Sequence, residues 1–156
     1  MAPQSTFLHD YLPYLLRQAD QTLSAPFYAV LTEYGVARSE WRVLAVLEDA
    51  GELPVRDLAV AALSPQPTVT HALRRLEERG LVQRTLGTED KRQRFISITT
   101  AGSTLTQTLM LEATALEATA LAEAGDLTDL VDHLRSLTAT VEAQLRERTI
   151  EAARAG

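Results

Sequence analysis

Apolar residues recur along this chain with two different periods, and the change from one to the other marks out its organisation. Over residues 5–34, Phe7, Leu8, Tyr11, Leu12, Leu15, Leu16, Ala19 and Leu23 follow helical spacing in a stripe broader than a helix burying one face requires. Pro13 and Pro26 interrupt it. A proline inside a helix removes a donor and clashes with the preceding turn, at a cost of about 3 kcal/mol. The pattern therefore predicts a bent helix or a start near Pro13, a second kink or break at Pro26, and an end at Gly35. Ser39 is the expected N-cap of the next helix, with Glu40 where the helix dipole favours negative charge. That helix places Trp41, Leu44 and Leu47 on one face and runs out at Gly51. Val55, Leu58, Ala59 and Ala62 predict a short third helix starting at Pro54, whose missing N–H is harmless in a first turn. After a short link, Val69, Ala72, Leu73 and Leu76 fall at i, i+3, i+4 and i+7, with Gly80 as the C-terminal cap.

The period then drops to two. Val82, Arg84 and Leu86 alternate with Gln83 and Thr85, and Ile96 and Ile98 alternate with Phe95, Ser97 and Thr99, as in half-buried strands. Residues 87–93 between them carry turn chemistry, which makes the pair a β-hairpin projecting basic side chains. Thr99 is placed to cap another helix over residues 101–124, rich in alanine and leucine and ended by Gly125. Asp126 is placed to cap a last helix in which Leu127, Leu130, Val131, Leu134, Leu137, Val141 and Leu145 follow a near-heptad. The fold class is mainly α with a small β-hairpin wing. Residues 36–100 read as a winged helix-turn-helix DNA-binding domain, and residues 1–35 and 101–156 as a helical dimerisation region. The terminal stripes exceed what the small central unit covers, which predicts packing with a second copy of the chain.

Composition narrows the chemistry. The chain of 156 residues has no cysteine, which excludes disulfides, thiolate metal sites, cysteine nucleophiles and thiol redox switches. It shows neither a run of about 20 apolar residues nor a signal-peptide pattern, and the expected location is cytoplasmic. The net charge of -6 argues against a nucleic-acid partner until it is divided: -3 over residues 1–50, -5 over 101–156, but +2 over 51–100. Basic charge gathers at Arg74, Arg75, Arg79, Arg84, Lys91, Arg92 and Arg94, and the local field governs approach to phosphates. No convergent nucleophile, base and oxyanion set appears and no glycine-rich phosphate loop, so an enzyme is not expected. No cofactor is expected either. Of the three histidines, only His133, with Asp129, has the spacing of a helical metal half-site, and no metal is expected.

Residues 67–84, PTVTHALRRLEERGLVQR, resemble the recognition helix and first wing strand of the MarR family of bacterial transcriptional regulators. The DKR at 90–92, then Ile98-Thr99 and Gly102, resemble that family's wing signature and the helix start after it, with Ile98 standing where leucine is usual. The resemblance covers nearly the whole chain, although only residues 63–102 are motif-specific. It implies an obligate dimer docking two winged units on a pseudo-palindromic double-stranded DNA operator, as a ligand-responsive repressor.

The physical reading of DNA contacts runs beside it. A two-fold dimer sets two helices in successive major grooves, about 34 Å apart. Thr68, Thr70 and His71 are candidates for base edges, with Gln66 and Pro67 beside them at a helix start that offers free N–H groups to phosphate. Arg74 and Arg75 are placed to hold phosphates, which position without reading sequence. Lys91, Arg92 and Arg94 are the wing candidates for the minor groove; by the family pattern Arg92 is the residue inserted. Asp90 is expected to brace a wing arginine rather than touch DNA. Arg79 and Arg84 have a structural alternative as ion-pair partners of Glu77 or Glu78.

The resemblance also implies a small aromatic or anionic effector between the dimer helices and the DNA-binding lobe. Candidates for that pocket are Tyr11, Tyr14 and Arg17 on the first helix and Trp41 and Arg42 on the second, with core packing as the competing role of Trp41 and Tyr11. Arg17, on an apolar helix, needs an anionic partner, whether Asp10, Asp20 or a ligand carboxylate. The rival function is a winged-helix protein-interaction module that does not read DNA sequence.

Overall fold

The computed structural model describes residues 7–86 and 94–155. Its elements run α1 (Phe7–Asp10), α2 (Leu12–Glu33), α3 (Arg38–Ala50), β1 (Glu52–Pro54), α4 (Val55–Ala61), α5 (Gln66–Glu78), β2 (Val82–Leu86), β3 (Arg94–Ile98), α6 (Thr100–Ala120) and α7 (Thr128–Ala155). The chain divides into two compact units, Met1–Thr119 and Ala120–Gly156. Among the described residues no helix is long and apolar enough to cross a membrane.

In the first unit α3, α4 and α5 enclose a core with Leu44, Leu47, Leu58, Leu73 and Leu76 fully buried, closed on one side by the sheet through Ile96. The sheet is antiparallel in the order β1-β3-β2. Leu53 faces Ile96 across one ladder and Arg84 faces Ile96 across the other. β1 was not anticipated. Pro54 is the last residue of this edge strand and the N-cap of α4, not its first helical residue. An edge is where a ladder tolerates a residue with no N–H.

Helix ends obey local chemistry. Gly80 has φ +68°, the Gly80 amide donates to the Glu77 carbonyl and the Leu81 amide to the Leu76 carbonyl, the paired bonds of a Schellman cap. α3 begins two residues earlier than expected. Its N-cap is Ala37, and the Glu40 carboxylate reaches back to accept from the Ala37 amide at 2.8 Å. Alanine has no oxygen to return the bond, so this is half of a capping box, and Ser39 lies inside the helix. α2 starts at Leu12 with Pro13 in its first turn but runs through Pro26 without breaking. What changes at Pro26 is burial: Phe27 and Leu31 enter the core, whereas Leu12, Leu15, Leu16 and Leu23 are exposed.

α6 is docked by its first turn. The Thr99 hydroxyl donates to the Gly80 carbonyl at 2.7 Å and accepts from the Gly102 amide at 3.1 Å, the cap expected of it. Gly102 sits so close to the chain before β2 that a Cβ there would lie 2.0 Å from the Leu81 carbonyl oxygen. Glu48 of α3 then accepts from Ser103 and Gln107, both at 2.9 Å.

In the second unit Asp126 caps α7 as expected, accepting from the Thr128 amide and hydroxyl. Those bonds, the hydroxyl's foremost, hold the Asp126 carboxyl below its usual pKa. α6 ends at Ala120, a turn short of the expected residue 124. Leu130, Val131, Leu137, Val141, Leu145 and Ile150 of α7 are all exposed.

Candidate nucleic-acid interface

α5 divides along its length as its sequence predicts. Val69, Ala72, Leu73 and Leu76 are buried against α3 and α4, which leaves Gln66, Pro67, Thr68, Thr70, His71 and Arg74 on the exposed side. Gln66, Pro67, Thr70, His71, Arg74, Glu77 and Arg84 line an open depression of about 680 Å³ where α5 meets β2. The Thr70 hydroxyl donates to the Gln66 carbonyl one turn back, at 2.9 Å. Its hydrogen is therefore committed inside the helix, and its methyl and lone pairs are what it offers to a ligand.

The helix start is leaner in donors than a typical one. Pro65 is the N-cap and Pro67 lies in the first turn, and neither carries an N–H. The Val69 amide already bonds the Pro65 carbonyl. The amides of Gln66 and Thr68 remain for an anion, two where an unmodified start has about four.

The arginines separate by partner. Arg74 Nε lies 3.1 Å from Glu78 on the solvent side, a loose i,i+4 pair that competes weakly with phosphate. Arg84 Nε donates to Glu77 at 2.7 Å, so the structural role weighed for it holds. That bond, more than burial opposes it, raises the Arg84 pKa above its ordinary value. Arg79 finds neither Glu77 nor Glu78. Its Nη1 donates to the Gly35 carbonyl at 2.9 Å and lies 3.7 Å from Glu40. Arg75, expected at phosphates, has its Nε 2.8 Å from Glu40, with half of its side chain still exposed. Glu40 is wholly buried and is the residue the sequence reading missed. Its only local signal was its place in a first helical turn, and its partners lie some 35 residues downstream.

Of the wing candidates, Arg94 opens β3 opposite Leu86 and is exposed. Asp90, Lys91 and Arg92 lie outside the described residues.

The five effector candidates do not gather within one chain. Tyr11 stacks on Phe7 at 4.7 Å, and Tyr11, Tyr14 and Arg17 are exposed on the first turns of α2. Trp41 packs edge-on against Phe27 at 4.9 Å, in its core role. Phe27 is 13 residues beyond Tyr14 on the same helix, about 20 Å along its axis. Arg42 is exposed. The acids expected beside Arg17 have other neighbours: Asp10 meets His9 at 3.0 Å and Asp20 accepts from Ser24 at 3.2 Å. A cleft of about 240 Å³ does open between α2 and α6, lined by Leu23, Ser24, Phe27, Ala113, Thr114, Leu116 and Glu117, none of them among the expected effector residues. His133 turns its Nδ1 to the Asp129 carbonyl at 2.6 Å rather than to the carboxylate.

Comparison with known proteins places this geometry. The MarR family model matches residues 34–93. The homoprotocatechuate degradative operon repressor of Escherichia coli is 31% identical over 98 residues, which are 63% of this chain and 66% of that repressor. The crystal structure of NadR in complex with 4-hydroxyphenylacetate superposes with a TM-score of 0.74 at 28% identity, covering 90% of this chain and 97% of NadR. The MarR family transcriptional regulator SPO1453 from Silicibacter pomeroyi DSS-3 superposes with a TM-score of 0.76 at 32% identity, over 88% of this chain and 99% of that protein. With a polar helix face set on a winged scaffold, and 32% identity to SPO1453 over 99% of that regulator, the chain belongs to the MarR family of transcriptional regulators.

Proposed function

We propose that the protein is a homodimeric, ligand-responsive repressor that reads a pseudo-palindromic DNA duplex. The observation that carries this is the division of α5, whose apolar stripe is fully buried while Gln66, Thr68, Thr70, His71 and Arg74 face outward together. Thr68, Thr70 and His71 meet base edges, Gln66 and Pro67 flank them, and Arg74 and the exposed half of Arg75 hold phosphates. Lys91, Arg92 and Arg94 carry the wing into the minor groove, with Asp90 as a brace. Residues 1–35 and 101–156 pair the two copies. The exposed leucines of α2 and of α7 support this, since apolar surface left on a single chain marks an interaction face.

The effector is a small aromatic acid. NadR is a structural relative seen with 4-hydroxyphenylacetate, and the Escherichia coli relative is named for an operon degrading another aromatic compound. Tyr11, Tyr14 and Arg17 supply rings and one cation to a site that a second copy completes, and ligand binding at one lobe spacing draws the dimer away from the spacing DNA requires.

Footprinting on the duplex upstream of the protein's own gene tests the reading, with and without 4-hydroxyphenylacetate and related acids. A two-fold footprint that weakens steeply with salt is expected, with Arg92→Ala abolishing most of it while the dimer persists. Binding indifferent to both sequence and Arg92 would instead favour a protein-interaction module.

A further inference from the structure

Burying α5's apolar stripe fixes which face of the helix turns inward. Polar contacts beside the stripe limit the small play in roll that remains. A roll of about 20° on a helix of about 5–6 Å radius carries a side-chain tip about 2 Å, more than a base-edge hydrogen bond tolerates.

One buried carboxylate gathers those contacts, by charge toward Arg75 and Arg79 and by a hydrogen bond toward the start of α3. Glu40 is 0% exposed and stands at the first turn of α3. Its Oε2 accepts from the Ala37 amide at 2.8 Å and lies 3.7 Å from Arg79 Nη1, and its Oε1 lies 2.8 Å from Arg75 Nε. Arg75 and Arg79 are one turn apart on the side of α5 facing α3. Arg79 Nη1 also donates to the carbonyl of Gly35, two residues past the end of α2. The start of α3 and the C-terminal end of the recognition helix thus meet at one carboxylate, and Arg79 links them in turn to the segment that follows α2. Arg75 Nε is at contact distance but not aligned to donate, and Oε1 has no hydrogen bond of its own. Arg75 is therefore held by charge, and its guanidinium, half in solvent, can turn toward a phosphate more readily than Arg79 can leave Gly35.

We propose that Glu40 is a positioning residue for DNA reading: through Arg75 and Arg79 it limits the play in the roll of α5, and through Arg79 and Gly35 it ties that roll to the segment that follows α2. The inference rests on the DNA-reading function proposed above. It separates two tasks that α5 performs. Non-specific affinity depends on the count of cations near phosphates, whereas discrimination between duplexes depends on where Thr68, Thr70 and His71 point.

The test uses the full chain and two duplexes of equal length, the operator that footprinting of the wild type identifies and a scrambled control, with affinity measured against salt and Tm measured in parallel. Glu40→Gln keeps the volume and the bond to Ala37 but removes the charge. Both arginines reach solvent, so they stay hydrated and the fold survives. Operator affinity is expected to fall about 10-fold or more, while control affinity holds or rises and the salt slope steepens by up to about one phosphate contact as Arg75 is released. Arg79→Gln, a change at a side chain with access to solvent that leaves Glu40 in place, is expected to lower the operator-to-control ratio several-fold and decides the matter if Glu40→Gln does not fold. A loss by the same factor on both duplexes, in either folded variant, overturns the positioning role and makes the cluster merely structural or merely electrostatic. If the wild type itself fails to prefer any duplex, the function proposed above fails and this inference falls with it.

Discussion

The recognition helix and the first half of α2 carry the same sequence signal and meet opposite fates. Val69, Ala72, Leu73 and Leu76 of α5 are at most 1% exposed, whereas Leu12, Leu15, Leu16 and Leu23 of α2 range from 38% to 47%. Helical periodicity reports that a face wants burial and is silent about what buries it. Within α2 the change comes at Pro26, beyond which Phe27 and Leu31 join the core. A single helix thus belongs to its own lobe at one end and offers an unpartnered apolar face at the other.

The contrast can be broken by substitution. Leu73→Ala empties a fully buried site and is expected to cost about 2–5 kcal/mol, read as an unfolding midpoint shifted to lower denaturant whatever the protein concentration. The double change Leu12→Glu and Leu16→Glu is expected to leave the winged lobe folded but to weaken self-association about 100-fold or more. Sedimentation equilibrium reads the second effect. If the double variant unfolds the lobe as Leu73→Ala does, the distinction between the two stripes is wrong. A smaller effect of opposite sign is expected at Leu63, which holds φ +50° at the end of α4 with its side chain 87% exposed. A leucine in that left-handed conformation costs about 1–2 kcal/mol and gains no burial in return. Leu63→Gly should therefore raise Tm by about 2–4 °C; a fall would mean that Leu63 is packed by a second copy.

The elements that could be read from the chain were those whose cause is local. The stripe of α5, the glycine cap at Gly80 and the Thr99 cap each need only a few neighbouring residues and stand where expected, whereas β2 forms over Val82–Leu86 without the expected alternation, since Val82 is buried but Arg84 and Leu86 are exposed. β1 escaped because three residues ending in proline hold too few positions to show a period of two. Ser39 lost the N-cap to Ala37 because Glu40 reached backward, a choice made by the fold around a buried carboxylate rather than by intrinsic capping preference. Of the kink or break expected at Pro26 the break does not occur, and the buried Phe27 and Leu31 lie just beyond the missing bond in the same helix.

In the candidate site the same rule applies. The outward face of α5 and the Arg84–Glu77 pair were legible because they follow from helix spacing and hairpin adjacency. The partners of Arg75 and Arg79 were not, since Glu40 lies 35 and 39 residues before them and only the packing of α3 on α5 brings them together. Nor was the separation of Trp41 from Tyr11 and Tyr14, which depends on which turn of α2 enters the core.

The two prolines at the start of α5 bear on the thermodynamics of DNA association. Pro65 as N-cap and Pro67 as the second residue of the helix restrict the backbone where a helix normally frays, because proline's φ is already that of a first turn. Less conformational entropy remains to be lost there when a duplex arrives. The helix start gives up amide donors and gains a shape that is in place beforehand, so the heat-capacity change of binding should reflect surface brought out of water rather than a segment folding on its target.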